Sequence, residues 1–351
     1  MATPTPLSET SSALPVSSKA FAIAGITTVV YGLSELPPNQ TSITCLWLLH
    51  PRLQTKDIMA AVASSCINDW NSHPSSDQQA KVGLIAVAFD QRNHGSRLLN
   101  SSSNEAWREG NVTHAQDMFS IFHGTAMDTS LLIDHLGSYI FNGPNDPPIN
   151  QNIVLGISLG GHAAWQVLFN DPRVTAGVII IGCPDYMSMM TDRARLSKLP
   201  TYTTSSPPGS AFLGSPDFPT ALITSVSKSD PRGLLFGTFP IPTPSPAPSP
   251  AEQARLGPLL DARIRNKKIL VCSGAADKLV PYHCSQPFLD FLKAATEPDA
   301  GWYRDGGVSL DDRVYEGVGH AYSEDMAMDV VRFVSEFLAR GGGEEGSDSK
   351  L

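Results

Sequence analysis

Short apolar runs alternate along this chain with stretches in which apolar residues recur every three or four positions. The short runs predict buried strands, and the helical spacing predicts amphipathic helices. The predicted strands are residues 20–31, 42–50, 82–90, 152–157, 174–181, 268–273 and 313–317. The predicted helices are residues 57–70, 117–136, 162–168, 286–294 and 324–340. This alternation predicts an α/β fold with a doubly wound, mostly parallel sheet, whose first strand we expect to be antiparallel and at the edge.

One long connection interrupts the alternation. Residues 184–263 separate two predicted strands and include a stretch, 240–250, in which nearly every other residue is proline. A connection of this length is too long for an ordinary loop, so we expect an insertion that forms a cap over the site. A disordered excursion is the alternative, above all for residues 241–250.

Composition narrows the function classes. With 351 residues, 41% of them hydrophobic, the chain can bury a large core, which we place at 20–183 and 264–340. The net charge of −9 disfavours nucleic acid and anionic membranes as partners, and no apolar run is long enough to span a bilayer. Residues 1–19 and 341–351 are expected to be disordered tails. Because the first of these has no apolar core of a secretion signal, the cytoplasm is the expected location.

The five cysteines do not suggest a disulfide framework. Their number is odd, and four of them lie in or beside apolar runs, so we expect buried, reduced thiols. The sequence has no Cys-x-x-Cys pair and no histidine cluster, so no metal and no cofactor is expected.

The sequence Gly156-Ile157-Ser158-Leu159-Gly160 lies where a buried strand turns into a helix. A serine on so sharp a turn takes a strained backbone conformation, and the two glycines remove the clashes that side chains would make there. The turn lifts the Ser158 hydroxyl out of the sheet. We therefore expect Ser158 to be a nucleophile.

A serine hydroxyl needs a histidine base, which a carboxylate in turn orients. Asp277 follows the predicted strand 268–273, at the sheet edge where α/β proteins gather functional groups. Asp185, after the preceding strand, is the rival acid. We favour Asp277 because the acid comes late in the order serine, acid, histidine.

His320 follows the last predicted strand in the sequence Gly317-Val318-Gly319-His320. The glycines allow a tight loop that holds the imidazole over the sheet, so His320 is the expected base. Four other histidines are less suited, because each precedes Asp277 or lies too close to Ser158 in the chain. They are His50, His94, His123 and His162.

Taken together, these motifs resemble the α/β-hydrolase fold, over about residues 20–340. The matching elements are the elbow at 156–160, the Gly-x-x-Asp-x-x-Val-Pro pattern at 274–281, the Gly-His at 319–320 and the Asp-Gln-Arg-Asn-His-Gly turn at 90–95. The resemblance implies an eight-stranded sheet with a cap inserted after strand 6. It also implies nucleophile Ser158, acid Asp277 and base His320.

The chain departs from the family in two loops. Asn93 replaces the usual glycine, but asparagine tolerates a left-handed backbone, and Arg92 beside it is expected to be a structural hydrogen-bond donor. Where many members carry His-Gly after the third strand, this chain has His50-Pro51-Arg52.

An oxyanion hole needs two backbone N–H groups, and that of Leu159, directly after the nucleophile, is the expected first donor. Proline has no N–H, so the second is expected from Arg52 or Leu53. The Arg52 side chain is alternatively a ligand for a substrate carboxylate, although an ordinary surface arginine is the commoner role.

The expected activity is hydrolysis of a carboxylic ester, lactone or thioester of a small molecule through an acyl-enzyme on Ser158. A serine peptidase or aminopeptidase, an acyltransferase or lyase, and a non-catalytic binding protein are the alternatives, because fold does not fix function. Aromatic and methionine side chains of the cap suggest an apolar substrate, although packing within the cap explains them equally well. They are Tyr186, Tyr202, Phe212, Phe218, Phe236, Phe239 and the residues 187–190.

Overall fold

The structure is a computed structural model that describes residues 13–38, 40–72 and 81–341. Within these residues, eight strands form one sheet in the order β1-β2-β4-β3-β5-β6-β7-β8. They are β1 (Ser18–Ile23), β2 (Ile26–Tyr31), β3 (Ser42–Leu49), β4 (Val82–Phe89), β5 (Ile149–Ile157), β6 (Val174–Ile180), β7 (Lys268–Gly274) and β8 (Ser309–Tyr315). Strands β3 to β8 run parallel to one another. At one edge β2 pairs with β4 in antiparallel fashion, and β1 pairs with β2 in the same way. The predicted α/β fold class is confirmed.

The predicted first strand, residues 20–31, is two strands. The chain reverses at Ala24 and Gly25, which both have positive φ, 49° and 77°, so that β1 pairs with β2 as a hairpin. A two-residue hairpin turn requires such angles. Ser18 and Lys19, which the sequence placed in the N-terminal tail, pair with Tyr31 and Val30 and so belong to the sheet. Most of the predicted tails, residues 1–12 and 342–351, lies outside the described residues.

Helices cover both faces of the sheet. They are α1 (Ala60–Ser72), α2 (His114–Ile140), α3 (Leu159–Asn170), α4 (Tyr186–Ser197), α5 (Pro200–Thr203), α6 (Thr220–Ser229), α7 (Pro231–Phe236), α8 (Pro250–Ile264), α9 (Tyr282–Thr296) and α10 (Glu324–Ala339). Alternate residues of β3 show the two layers: Trp47 packs with α2, α3 and α9, whereas Leu48 packs with α1 and α10. No helix in the described ranges combines the length and the apolarity needed to cross a bilayer.

The connection from β6 to β7 holds five of these helices, α4 to α8. Its aromatic residues Phe212, Phe218 and Phe236 belong to the same buried cluster as α2 and α3. The segment therefore packs onto the sheet through a continuous core. That residues 184–263 act as a cap stays a prediction.

Buried side chains include the five cysteines, which are all free. This agrees with the expectation of reduced thiols. Tyr186 and the methionines of α4 are buried in the core as well, which favours packing as the reason for their presence, whereas Phe239 is 75% exposed.

Candidate active site

Ser158 lies at the tight turn between β5 and α3, in the sparsely populated conformation φ 56°, ψ −113°. The turn needs both glycines of the predicted elbow. A Cβ atom on Gly156 would overlap the carbonyl of Gly160, and a Cβ on Gly160 would overlap the carbonyl of Leu49. The expected strained elbow is therefore present, and it leaves Ser158 8% exposed at the carboxyl end of the sheet.

His320 reaches Ser158 from the loop between β8 and α10. Its Nε2 lies 2.8 Å from the Ser158 Oγ. The loop rests on the end of β7, where the Val318 carbonyl accepts a 2.9 Å hydrogen bond from the Ala276 N–H. Gly274 allows this approach because a Cβ there would crowd the carbonyls of Val318 and Gly319.

Asp277 completes the group from the loop after β7. Its Oδ2 lies 2.8 Å from His320 Nδ1, and its Oδ1 accepts the N–H groups of Leu279 at 2.8 Å and Val280 at 3.0 Å. Burial raises the pKa of this carboxyl, but the hydrogen bonds and the nearby imidazole outweigh burial and hold the pKa below its usual value. Asp277 is therefore an anion that accepts on both oxygens.

The structure thus brings together the three side chains that the sequence singled out. With Asp277 ionised, His320 Nδ1 carries the proton, and Nε2 is left to accept one from the Ser158 hydroxyl. This arrangement can deprotonate a serine as it attacks a carbonyl. The catalytic roles of the three residues stay predictions.

The elbow and the loop after β3 carry the backbone N–H groups that the sequence predicts as oxyanion donors. Leu159 is the first residue of α3, so its N–H has no acceptor within the helix. The loop with Arg52 and Leu53 passes the elbow closely, because the carbonyls of Leu49 and His50 both border Gly160. The Arg52 side chain turns toward the Asn104 carbonyl, to which its Nη1 donates at 2.5 Å.

Asp185, the rival acid, has a different position. It precedes α4 and accepts the Ser188 N–H at 2.9 Å as the N-cap of that helix. Its other oxygen lies 3.7 Å from the Arg232 Nε. Asp277, not Asp185, is the carboxylate that His320 contacts.

His50 and His94 hold the loops that follow β3 and β4. The Nδ1 of His50 donates to the Pro51 carbonyl at 2.8 Å, and its Nε2 accepts the Gln91 N–H at 2.9 Å. Burial lowers the pKa of His50 to about 4, so this imidazole is neutral. In the same turn Asn93 has φ 57°, which agrees with the expected left-handed backbone.

Arg92 makes a bidentate contact with Asp128, with N–O distances of 3.0 Å and 2.9 Å. This is the structural role that the sequence suggested. His123 contacts the Gln166 side chain at 2.8 Å, and His162 accepts the Cys183 N–H at 3.0 Å. Neither imidazole is hydrogen-bonded to the Ser158 hydroxyl; His162 contacts Ser158 only through its backbone N–H, which donates to the Ser158 carbonyl at 3.1 Å.

Arg193 of α4 is a residue that the sequence did not single out. Its Nη2 donates at 2.8 Å to the carbonyl of Leu279, the residue whose N–H holds Asp277. Its Nη1 lies 3.1 Å from His114 Nε2. Both partners are far from Arg193 in the chain, and no local motif marks the contact, so nothing in the sequence could have revealed it.

One group of side chains has a composition that suits a metal ion. Ligand atoms of Asp192, His283 and Cys284 lie within 4.8 Å of one another. However, Asp192 already accepts two hydrogen bonds from Arg195, at 2.9 Å and 2.7 Å. Burial foremost raises the pKa of the Cys284 thiol to about 12, which disfavours the thiolate that a metal needs. These residues do not form a convincing metal site.

The sequence model of a family described as "Alpha/beta hydrolase family" matches residues 70–333. A search of the curated proteins gives no significant match.

Among solved structures, TT1662 from Thermus thermophilus has a TM-score of 0.50 at 16% identity, over 93% of this chain and 99% of that one. The esterase Pf2001 of Pyrococcus furiosus has a TM-score of 0.45 at 14% identity, over 93% of each chain. The acylaminoacyl peptidase of Pyrococcus horikoshii has a TM-score of 0.48 at 11% identity, over 96% of this chain and 44% of that one. At these identities the likeness concerns the fold alone.

Proposed function

Because this chain belongs to the alpha/beta hydrolase family, we propose that it is a serine hydrolase that cleaves an ester-type bond of a small molecule. The observation that carries the proposal is the continuous contact from Ser158 through His320 to Asp277, with 2.8 Å at each step. These are the distances at which a base and its orienting carboxylate activate a serine.

In the first half of the reaction, the Ser158 Oγ forms a bond to the ester carbonyl carbon while its proton moves to His320 Nε2. The carbonyl electrons move to the oxygen, which the N–H of Leu159 and that of Arg52 or Leu53 stabilise. The bond to the leaving group then breaks, and His320 gives its proton to the departing alcohol or thiol.

In the second half, a water molecule gives a proton to His320 and attacks the acyl carbon. The bond to Ser158 breaks, the proton returns to the Ser158 oxygen, and the carboxylic acid leaves. Asp277 stays ionised throughout and stabilises the imidazolium that forms twice in each cycle. One ester and one water are thereby converted into one acid and one alcohol or thiol.

A Ser158→Ala variant tests this proposal. We expect it to stay folded, to lose labelling by a fluorophosphonate probe and to lose hydrolysis of short-chain esters by a factor of roughly 10⁴ or more. Ser225→Ala is the matched control, because Ser225 lies exposed on α6. It should be labelled and should turn over esters as the wild type does. Full esterase activity in folded Ser158→Ala would refute the assignment.

A panel of substrates separates this activity from the alternatives on the same fold. Esters of graded acyl length are compared with aminoacyl amides, and alcohols or thiols are added as acceptors. Faster cleavage of the amides would identify a peptidase, and ester products formed from the added acceptors would identify an acyltransferase.

A further inference from the structure

Two arginines lie near the candidate site and near each other, because the charges of Arg52 and Asp277 both act on Arg193. Arg52 comes from the loop after β3, directly beside the elbow, and Arg193 comes from α4 of the β6–β7 connection. Both are partly buried. Neither has a role in the proposed acyl transfer, apart from the backbone N–H of Arg52.

The acceptors that these guanidinium groups contact are uncharged. Arg193 donates to the Leu279 carbonyl, to the neutral ring of His114 and to the Met118 sulfur, at 2.8, 3.1 and 3.0 Å. Arg52 donates to the Asn104 carbonyl. No carboxylate within the described ranges forms a salt bridge with either arginine, although such pairs are common elsewhere in this chain.

The neutrality of His114 follows from its contacts. Its Nδ1 lies 2.8 Å from the Glu105 carbonyl and must donate to it, so Nε2 is an acceptor for Arg193. Burial, and then the charges of Arg193 and Arg52, hold the pKa of His114 well below its usual value. His114 therefore supplies no negative charge.

The two cations also act on each other. Burial foremost, and then the charge of Arg52, lower the pKa of Arg193 to about 10. Glu105 and Glu109 act on Arg52 only from beyond salt-bridge distance. Asp277, the carboxylate that acts on Arg193, is already engaged by His320. Two like charges held close together and partly out of water are costly unless an anion joins them.

A third donor lies beside His114, the residue that Arg193 contacts. The Trp107 Nε1–H is buried and has no partner among the residues that the structure describes. Its ring packs edge-on against His114, with 5.1 Å between ring centroids. Buried donors without an acceptor are rare in proteins, so this N–H is available to a bound water or ligand.

Resting on the proposed hydrolase function, we propose that the substrate is an ester that carries a carboxylate, which Arg52 and Arg193 bind while Ser158 attacks the ester carbonyl. The planar guanidinium fork fits a carboxylate with two parallel hydrogen bonds. Such a substrate differs from the apolar one that the aromatic residues of the cap suggested.

The test compares monomethyl glutarate and monomethyl adipate with methyl pentanoate and methyl hexanoate, neutral esters of the same acyl length, by release of methanol. A charged hydrogen-bonded contact favours the charged ester by about 10- to 100-fold in kcat/KM. In Arg52→Gln, which keeps the backbone N–H, this preference should fall by about tenfold or more, mainly through KM.

Two further variants serve as a second test and as a control. Arg193→Lys keeps the charge but loses the fork, and it should reduce the preference even where Arg193→Gln fails to fold. Arg195→Gln is the control on the same helix, because Arg195 is paired with Asp192. It should leave the preference unchanged.

Equal turnover of charged and neutral esters, or a preference that survives both Arg52→Gln and Arg193→Lys, would overturn the inference and leave the hydrolase proposal intact. If no ester is cleaved and Ser158 is not labelled, the hydrolase proposal fails instead. Adipate binding, measured by calorimetry, then decides separately: binding lost in Arg52→Gln supports the anion site, and no binding to the wild type refutes it.

Discussion

The two oxygens of Asp277 have different partners, and this difference determines what an amide in its place would do. One oxygen accepts the N–H groups of Leu279 and Val280, and the other faces His320. In Asp277→Asn the amide oxygen would keep the two N–H groups, so the NH₂ group would face the imidazole. His320 Nδ1 would then have to accept, and Nε2 would carry the proton that blocks its role as a base.

We therefore expect Asp277→Asn to fold normally and to lose kcat by about 10³- to 10⁴-fold with a short-chain ester. Asp185→Asn is the control, because asparagine is an equally good N-cap for α4. It should keep the wild-type kcat. If the two variants lose activity equally, the choice of Asp277 as the acid is wrong.

At the residue scale, the sequence predicted the contacts of those residues that lie in a local motif. Ser158, Asp277 and His320 each follow a strand and lie in a recognisable turn. Arg193 has no such context: its partners His114 and Leu279 are 79 and 86 residues away, and only the folded chain brings them together.

At the scale of elements, the contact between α3 and β3 depends on the absence of one side chain. A Cβ on Gly160 would overlap the Leu49 carbonyl and come within 2.9 Å of the His50 carbonyl. Because both of these contacts are with backbone, relief requires moving either the nucleophile turn or the loop that carries Arg52.

We expect Gly160→Ala to lower the free energy of unfolding by about 1–3 kcal/mol and kcat by roughly 100-fold, since small displacements misalign the reacting groups. Gly137→Ala in α2 is the comparison, because no atom lies within 4 Å of its added methyl group. Denaturant unfolding should show that variant slightly stabilised, by about 0.5–1 kcal/mol. Wild-type stability and kcat in Gly160→Ala would contradict the close contact.

The largest errors in the predicted strands lie at the sheet edges, although the central strand β5 also begins three residues earlier than predicted, at Ile149. Residues 20–31 are mostly apolar and contain no charged residue, which hides the turn at Ala24-Gly25, and alanine rarely occupies a left-handed position. Strand β8 begins at Ser309, four residues before its predicted start. The charged residues of its first half hid this part of the strand from hydrophobic patterning. The ion pair of Arg313 with Asp311 offsets part of their charge. Edge strands tolerate such residues, so hydrophobic patterning detects them poorly.

At the scale of the whole molecule, the fold class followed from the alternation of strands and helices, but the response of stability to pH depends on burial that no pattern reveals. Burial lowers the pKa of His162 to about 3, that of His50 to about 4 and that of His94 and His114 in the same direction. Histidines in the unfolded chain take up a proton near pH 6.5. The unfolded state therefore binds more protons than the native state as the pH falls below that value, and these residues lower the stability.

His50 lends itself to measuring this effect because both of its ring nitrogens are engaged and it is fully buried. Between pH 7 and pH 5 its unfolded form gains a proton that its native form, with a pKa of about 4, does not. This difference costs about 2 kcal/mol. Urea unfolding of the wild type and His50→Gln should show the variant losing about 2 kcal/mol less over this range, whatever the other groups contribute to both proteins.

His135→Gln, on the exposed face of α2, should follow the wild type. Parallel pH profiles for the wild type and His50→Gln would mean that His50 is protonated in the native state, and its role as a neutral link between the loops after β3 and β4 would then be wrong.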